Sequence, residues 1–138
     1  MIRTKDIKMI SQALDYAHKN KLDRGYTIVA FLVRSKNIVS IGTNHYIKTH
    51  SNTPQIENYI IPSHAEVKCI SKWIVKNRSI TSDMSLYIVG LTQGKLCRPV
   101  VSSKPCDSCQ KFIKTVGIPR VVYFDYSEDE LNIKEMVV

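Results

Sequence analysis

The sequence predicts an α/β domain whose largely parallel sheet is covered by helices, and three observations carry that expectation. Helical and extended patterns follow one another in the order α-β-β-α-β-α-β-α. Strand–helix–strand returns of this kind imply parallel crossovers. A chain of 138 residues, with 43% hydrophobic and 23% charged residues, is long and apolar enough to bury one core. Residues 1–138 therefore read as one domain, without internal repeats or low-complexity segments.

Residues 4–19 form the first helix, with Ile7, Ile10, Leu14 and Ala17 at three- and four-residue steps and Thr4 as N-cap. Residues 27–33 are almost wholly apolar and β-rich, residues 38–41 are a second run, and Arg34-Ser35-Lys36-Asn37 between them is a polar turn, so the pair reads as an antiparallel hairpin. Residues 45–62 show no sustained period. A loop of that length in a compact domain is usually functional, and it is expected to form a wall of the active site. Residues 63–77 are the second helix, with Cys69, Ile70, Trp73 and Ile74 as its core stripe. A third strand spans 85–91, and residues 92–99 are a turn or hairpin insertion before extended structure resumes at 100–102. The third helix, 106–116, stops at Gly117 with Pro119 beyond it. Residues 120–125 are a fourth strand. Ser127 then caps a last helix to residue 136, with Glu128, Asp129 and Glu130 at its positive end.

No apolar run approaches membrane-spanning length, and the first residues, Met1-Ile2-Arg3-Thr4-Lys5-Asp6, lack the apolar core of a secretory signal. A cytoplasmic location is the resulting expectation. In that compartment cysteines signal metal or redox chemistry more than disulfides. Cys69 fits as a small core residue, and Cys97 has no assigned role. The net charge of +8 favours anionic partners, with free nucleotides and nucleic-acid strands both qualifying.

The chemistry concentrates in two stretches, Ser63-His64-Ala65-Glu66 and Pro105-Cys106-Asp107-Ser108-Cys109. One imidazole and two thiolates make a set of three zinc ligands, which is the number for a catalytic ion with one open position. Cys106 and Cys109, spaced i, i+3, project from one helix face, and the positive helix end favours thiolates. His64 is too far along the chain for a zinc-finger hairpin but suits a second helix start brought alongside. Glu66 is a carboxylate able to move protons beside a metal-activated water. Ser63-x-x-Glu66 also fits a capping box, which would give Glu66 a purely structural task. In the long loop, Lys48 and His50 are candidates for a phosphate or sugar hydroxyl. Tyr126, just past the fourth strand, is a candidate for stacking on a base.

With these motifs the chain resembles the cytidine and deoxycytidylate deaminase superfamily over about residues 5–126. Gly42-Thr43-Asn44, Ser103-Lys104-Pro105-Cys106 and Val121-Val122-Tyr123-Phe124 extend the likeness. The resemblance implies a three-layer α-β-α fold with a mixed, mostly parallel sheet of about five strands and a zinc site at two helix N-termini. It implies Zn2+ on His64, Cys106 and Cys109, and Glu66 as the general base and then general acid. It implies substrate contacts from Asn44, from the Ala65 backbone N–H and from Ser103, and association into a homo-oligomer. The helix between Cys109 and Arg120 is similar to that of the deoxycytidylate and tRNA-adenosine branches. The pro-cys-gly-x-cys run of the tetrameric nucleoside deaminases is absent, and no second, structural zinc set can be assembled.

The leading expectation is hydrolytic deamination of a cytosine nucleotide or nucleoside, dCMP-like, to its uracil form with release of ammonia. The competing one is deamination of cytosine or adenine in single-stranded DNA or tRNA, where the positive charge would attract the backbone. A non-enzymatic zinc module fits less well, because a structural site takes a fourth ligand and has no use for Glu66.

Overall fold

The strands over residues 27–34 and 84–91 are almost wholly buried because helices cover both faces of the sheet. A computed structural model describes residues 1–21, 26–44, 64–77, 79–92 and 100–138. Its elements are α1 (Thr4–Lys19), β1 (Thr27–Arg34), β2 (Asn37–Thr43), α2 (Ala65–Asn77), β3 (Met84–Leu91), β4 (Val100–Val101), α3 (Asp107–Val116), β5 (Arg120–Ser127) and β6 (Glu130–Val137). The sheet order is β2-β1-β3-β5-β6, with β4 added to the end of β3. Alternation along the strands sends Val29, Phe31, Tyr87, Val89 and Val122 to one face, where they pack against Ile10, Ala13 and Ala17 of α1. Ala30, Leu32, Leu86, Ile88, Val121 and Tyr123 face the other way, against Cys69 and Ile70 of α2 and Ile113 of α3. The three layers are therefore α1, the sheet, and α2 with α3. Among the described residues no helix is long and apolar enough to cross a membrane.

Two expectations are corrected. Among the described residues the sheet is mostly antiparallel: β1 pairs antiparallel with both β2 and β3, β3 with β4 and β5 with β6, and only β3 with β5 is parallel. The β2-α2-β3 crossover does return the chain in the same direction, but β1 lies between those two strands and separates them. The expected helix over 127–136 is instead a hairpin. Glu128 and Asp129, at φ 51° and 67°, form its two-residue turn, and Ser127 pairs with Glu130. Acidic residues that would suit a helix start serve here as left-handed turn residues, a conformation Asp tolerates better than most. The spacing of Leu131, Ile133 and Met136 satisfies neither period cleanly. Pairing along the full length of β5 decides it, with Ile133 packing toward the α1 core and Met136 toward the other.

Helix ends mostly follow the local chemistry. Gly117 takes the left-handed conformation at φ 91°, and the Ile118 N–H returns to the Ile113 carbonyl. At the start of α1 the cap is Arg3, one residue before Thr4, and its backbone N–H donates to Asp6 Oδ2 at 2.8 Å.

Asp6 is fully buried and joins three elements. Arg120, the first residue of β5, donates Nη1 to Oδ1 at 2.8 Å and Nη2 to Oδ2 at 2.7 Å, and Tyr87 Oη of β3 donates to Oδ1 at 2.5 Å. Arg120 Nε also donates to Glu135 of β6, whose other oxygen pairs with the Met1 amine. Burial alone would push the Asp6 carboxyl up. The hydrogen bonds from Arg120, Tyr87 and the Arg3 amide outweigh it and hold the group well below the usual carboxylate range.

Removing one partner leaves the other charge buried, so Asp6→Ala is expected to cost about 3–5 kcal/mol in denaturant unfolding. Because the folded-state pKa is depressed, this contribution is complete above the unfolded value of about 3.9 and declines as pH falls toward the folded one. Native stability should therefore drop more steeply below about pH 4 than that of Asp6→Asn, which carries no ionisable group there. Parallel acid limbs in the two proteins would show that Asp6 does not govern the acid transition.

Candidate metal centre

The site forms at the edge of the sheet where β3 and β5 end. Because α3 returns the chain between these parallel strands, its first turn stands at their carboxyl ends, the usual location of chemistry in α/β sheets. The start of β1 and the end of β2 lie at the same edge, since Thr27 pairs with Leu91 and Val29 with Thr43.

A close backbone approach brings the start of α2 to this edge. A Cβ on Gly42 would lie 2.3 Å from the Ala65 carbonyl oxygen and 2.5 Å from the Cys69 amide nitrogen. Only glycine admits that contact. Around it, Ser40 Oγ donates to the Cys69 carbonyl at 2.6 Å and Lys72 Nζ to the Ile41 carbonyl at 2.8 Å. Cys69 is buried in the core as expected, its thiol pushed up to about 12 by burial.

His64 and Cys106 hold corresponding positions. The Lys68 N–H bonds the His64 carbonyl at 3.1 Å and the Gln110 N–H bonds the Cys106 carbonyl at 2.8 Å, so each residue immediately precedes its helix. Glu66 is thus the second residue of α2; the capping box expected with Ser63 lies outside the described residues. The ligand atoms of His64, Cys106 and Cys109 all lie within 4.8 Å of one another. His64 Nδ1 is 3.0 Å from Cys109 Sγ and 3.6 Å from Cys106 Sγ. Nitrogen and sulfur ligands on a tetrahedral zinc stand about 3.6 Å apart, given bond lengths near 2.1 and 2.3 Å. The donor set and its spacing fit zinc, and the group is positioned to hold the ion.

Glu66 is buried, with 5% of its surface exposed. Burial raises its pKa, against the opposing effects of its own backbone N–H, the His64 ring and the Cys109 thiol. Cys109 is likewise pushed up, first by burial and then by the Glu66 charge. The expected preference for thiolate at a helix start is therefore overridden at Cys109 by desolvation and a neighbouring carboxylate. A cation among the ligands reverses that balance.

The remaining candidates divide sharply. Ala65 is fully buried at the first position of α2. The Asn44 side chain clasps the start of β1: Oδ1 accepts from the Ile28 N–H at 2.7 Å and Nδ2 donates to the Tyr26 carbonyl at 2.9 Å. One amide hydrogen and one lone pair of Asn44 remain beyond these bonds. The Ser103 hydroxyl is used inside the sheet, donating to the Ile88 carbonyl at 2.7 Å and accepting from the Phe124 N–H at 2.9 Å. Tyr126 lies on β5 near its carboxyl end with 39% of its surface exposed. Lys48, His50 and Cys97, with the segments 45–62 and 93–99, lie outside the described residues. Sequence reasoning treated Gly42 only as part of a Gly-x-Asn run and missed its packing role, and it did not find the Asp6–Arg120 pair. Both depend on contacts between distant segments.

A family model described as the cytidine and deoxycytidylate deaminase zinc-binding region matches residues 3–125. No curated protein matches the chain.

With Co2+ as the probe, the native protein is expected to show thiolate-to-metal charge-transfer absorption, which Cys106→Ser and Cys109→Ser each reduce and Cys69→Ser leaves unchanged. An equal spectrum in all four proteins would exclude these ligands. Gly42→Ala forces the first turn of α2 away from β2 and should weaken chelator-competed zinc affinity about 10–100-fold, as displaced supporting groups do at metal sites.

Proposed function

The chain belongs to the cytidine and deoxycytidylate deaminase family, so it is a zinc-dependent deaminase, a hydrolase of C–N bonds, and we propose that its substrate is a cytosine nucleotide or nucleoside, dCMP-like, converted to the uracil form with release of ammonia. The observation that carries this reading is Glu66: a buried carboxylate, two residues from the metal ligand His64, whose charge acts on the ligand Cys109 and which is not itself part of the ligand set. When bound, zinc supplies Lewis acidity that brings the deprotonation of water toward neutral pH. Glu66 takes the proton released from water and delivers it to the ring nitrogen beside the amino-bearing carbon. As the water oxygen bonds the amino-bearing carbon, its second proton passes by way of Glu66 to the amine, whose bond to that carbon breaks, so that water and cytosine become uracil and ammonia. Its raised proton affinity suits a group that must both accept and return a proton.

The Ala65 amide, at the positive end of α2, is assigned to the pyrimidine carbonyl. Asn44 is assigned to the base or sugar through the hydrogen-bonding capacity its clasp leaves over. Tyr126 is assigned to stacking, and Lys48 and His50 to the phosphate or sugar. Ser103 is assigned an indirect part, holding the segment that leads into Cys106 against β3 and β5. The net charge of +8 supports a second reading, in which the base lies in single-stranded DNA or tRNA.

Ammonia release across deoxycytidine, dCMP, dCTP, CMP, adenosine and a cytosine-bearing single-stranded oligonucleotide tests this. Turnover of a cytosine monomer is expected, and Glu66→Gln should lower it by at least about 100-fold with zinc content unchanged. Turnover of the oligonucleotide alone would transfer the substrate to nucleic acid. No turnover of any substrate by the zinc-loaded protein would end the reading.

A further inference from the structure

Away from the ligand edge, α2 and the outer strand β2 enclose an open groove of about 930 Å3. Its floor and walls are Ile38, Val39, Trp73 and Val75, and its cationic rim is Lys68, Lys72 and Lys76. The three lysines are spaced i, i+4, i+8, so they form a row rising about 6 Å per step along the helix. No lysine among the described residues takes part in an ion pair, although Lys72 also reaches the Ile41 carbonyl. Lys68 loses some of its proton affinity to burial and to the neighbouring Lys72 charge. The groove therefore concentrates like charge beside apolar surface, with Val75 at 81% exposure. Helix surfaces usually pair such charges with acidic residues four positions away, and this face has none.

We propose that this groove binds single-stranded nucleic acid, with consecutive phosphates along Lys68, Lys72 and Lys76 and bases against Trp73, Val39 and Ile38. A row of regularly spaced cations matches a strand of repeating charges, and an apolar floor beside it matches unstacked bases. A duplex offers phosphates but hides its bases and would leave that floor uncovered. An acidic peptide adding to the β2 edge meets a strand interrupted by an irregularity opposite Leu32/Val33 and covered by Lys72 at the Ile41 carbonyl, both features that blunt edge pairing. A second copy of this chain is a poor occupant, because its own net charge is +8. The groove and the ligand His64 share one helix, so a strand seated there runs along the element that carries the metal site. The proposal goes beyond the deaminase reading and does not depend on it.

The test is fluorescence anisotropy of the zinc-loaded protein with a labelled thymidine 12-mer, which contains no base for a deaminase to act on. Binding is expected to weaken with salt, the log–log slope falling by about 0.7 for each phosphate contact removed. Lys72→Glu/Lys76→Glu should lower affinity at least about tenfold, while Lys5→Glu/Lys8→Glu on α1, with the same change in net charge, retains it. Monomer turnover should be unchanged in Lys76→Glu and in the α1 variant, which separates the groove from the metal site, whereas Lys72, which also bonds the Ile41 carbonyl, is read by binding alone. If the double variant fails to fold, Lys76→Glu alone carries the test through its reduced slope. Equal losses in the α1 and α2 variants would reduce the effect to net charge and overturn the proposal. So would equal or tighter binding of the matching duplex. So would a failure to bind the 12-mer while vesicles containing phosphatidylserine, or a poly-glutamate peptide, bind in a Lys72- and Lys76-dependent manner.

Discussion

The packing of α2 on β2 at Gly42 is the contact on which the site depends. A helix and a strand normally keep apart by the width of their side chains, whereas here the helix backbone sits where a Cβ would be. That proximity delivers His64 and Glu66 to the sheet edge at a height set by backbone atoms, which have little freedom to relax. The bonds from Ser40 and Lys72 hold the same contact from either side. On the neighbouring helix no comparable squeeze is needed. The cap geometry of Cys106 and the i, i+3 spacing of Cys109 bring both sulfurs toward the imidazole.

The opposite edge of the sheet is secured differently. Asp6, Tyr87, Arg120 and Glu135 tie α1 to β3, β5 and β6 where β5 begins, away from the end where the ligands lie. Polar groups buried this deeply are tolerated because nearly every donor and acceptor is used. Strong cross-links at one edge leave the other to be shaped by helix starts and strand ends, which carry unused backbone hydrogen-bonding groups suited to ligands.

Burial also sets the electrostatics of the centre. Burial raises the proton affinity of both Glu66 and Cys109; the Glu66 charge raises that of Cys109 further, while the Cys109 thiol opposes the rise at Glu66. A divalent cation among the ligands would stabilise the thiolates, and under the proposed function Glu66 is then the group left to exchange protons. The division of tasks between a soft ligand set and a lone carboxylate thus follows from environment as much as from residue type.

Much of this was legible along the chain. The helices over α1, α2 and α3 carry their apolar period, Gly117 marks a stop that follows from local conformation alone, and His64, Cys106 and Cys109 announce a metal by residue type and spacing. These features are local, or depend only on chemistry that the residue cannot hide. Tertiary structure decided the rest. β1 lies between β2 and β3 and makes the sheet mostly antiparallel, residues 130–137 pair with β5 instead of coiling, and Asn44 and Ser103 spend their polar atoms on backbone groups of other strands. It also made Gly42 indispensable and gave Asp6 its partners Arg120 and Tyr87. Each of these outcomes is set by a contact between segments far apart in sequence, where strand pairing and burial outweigh the weak preferences of any one stretch.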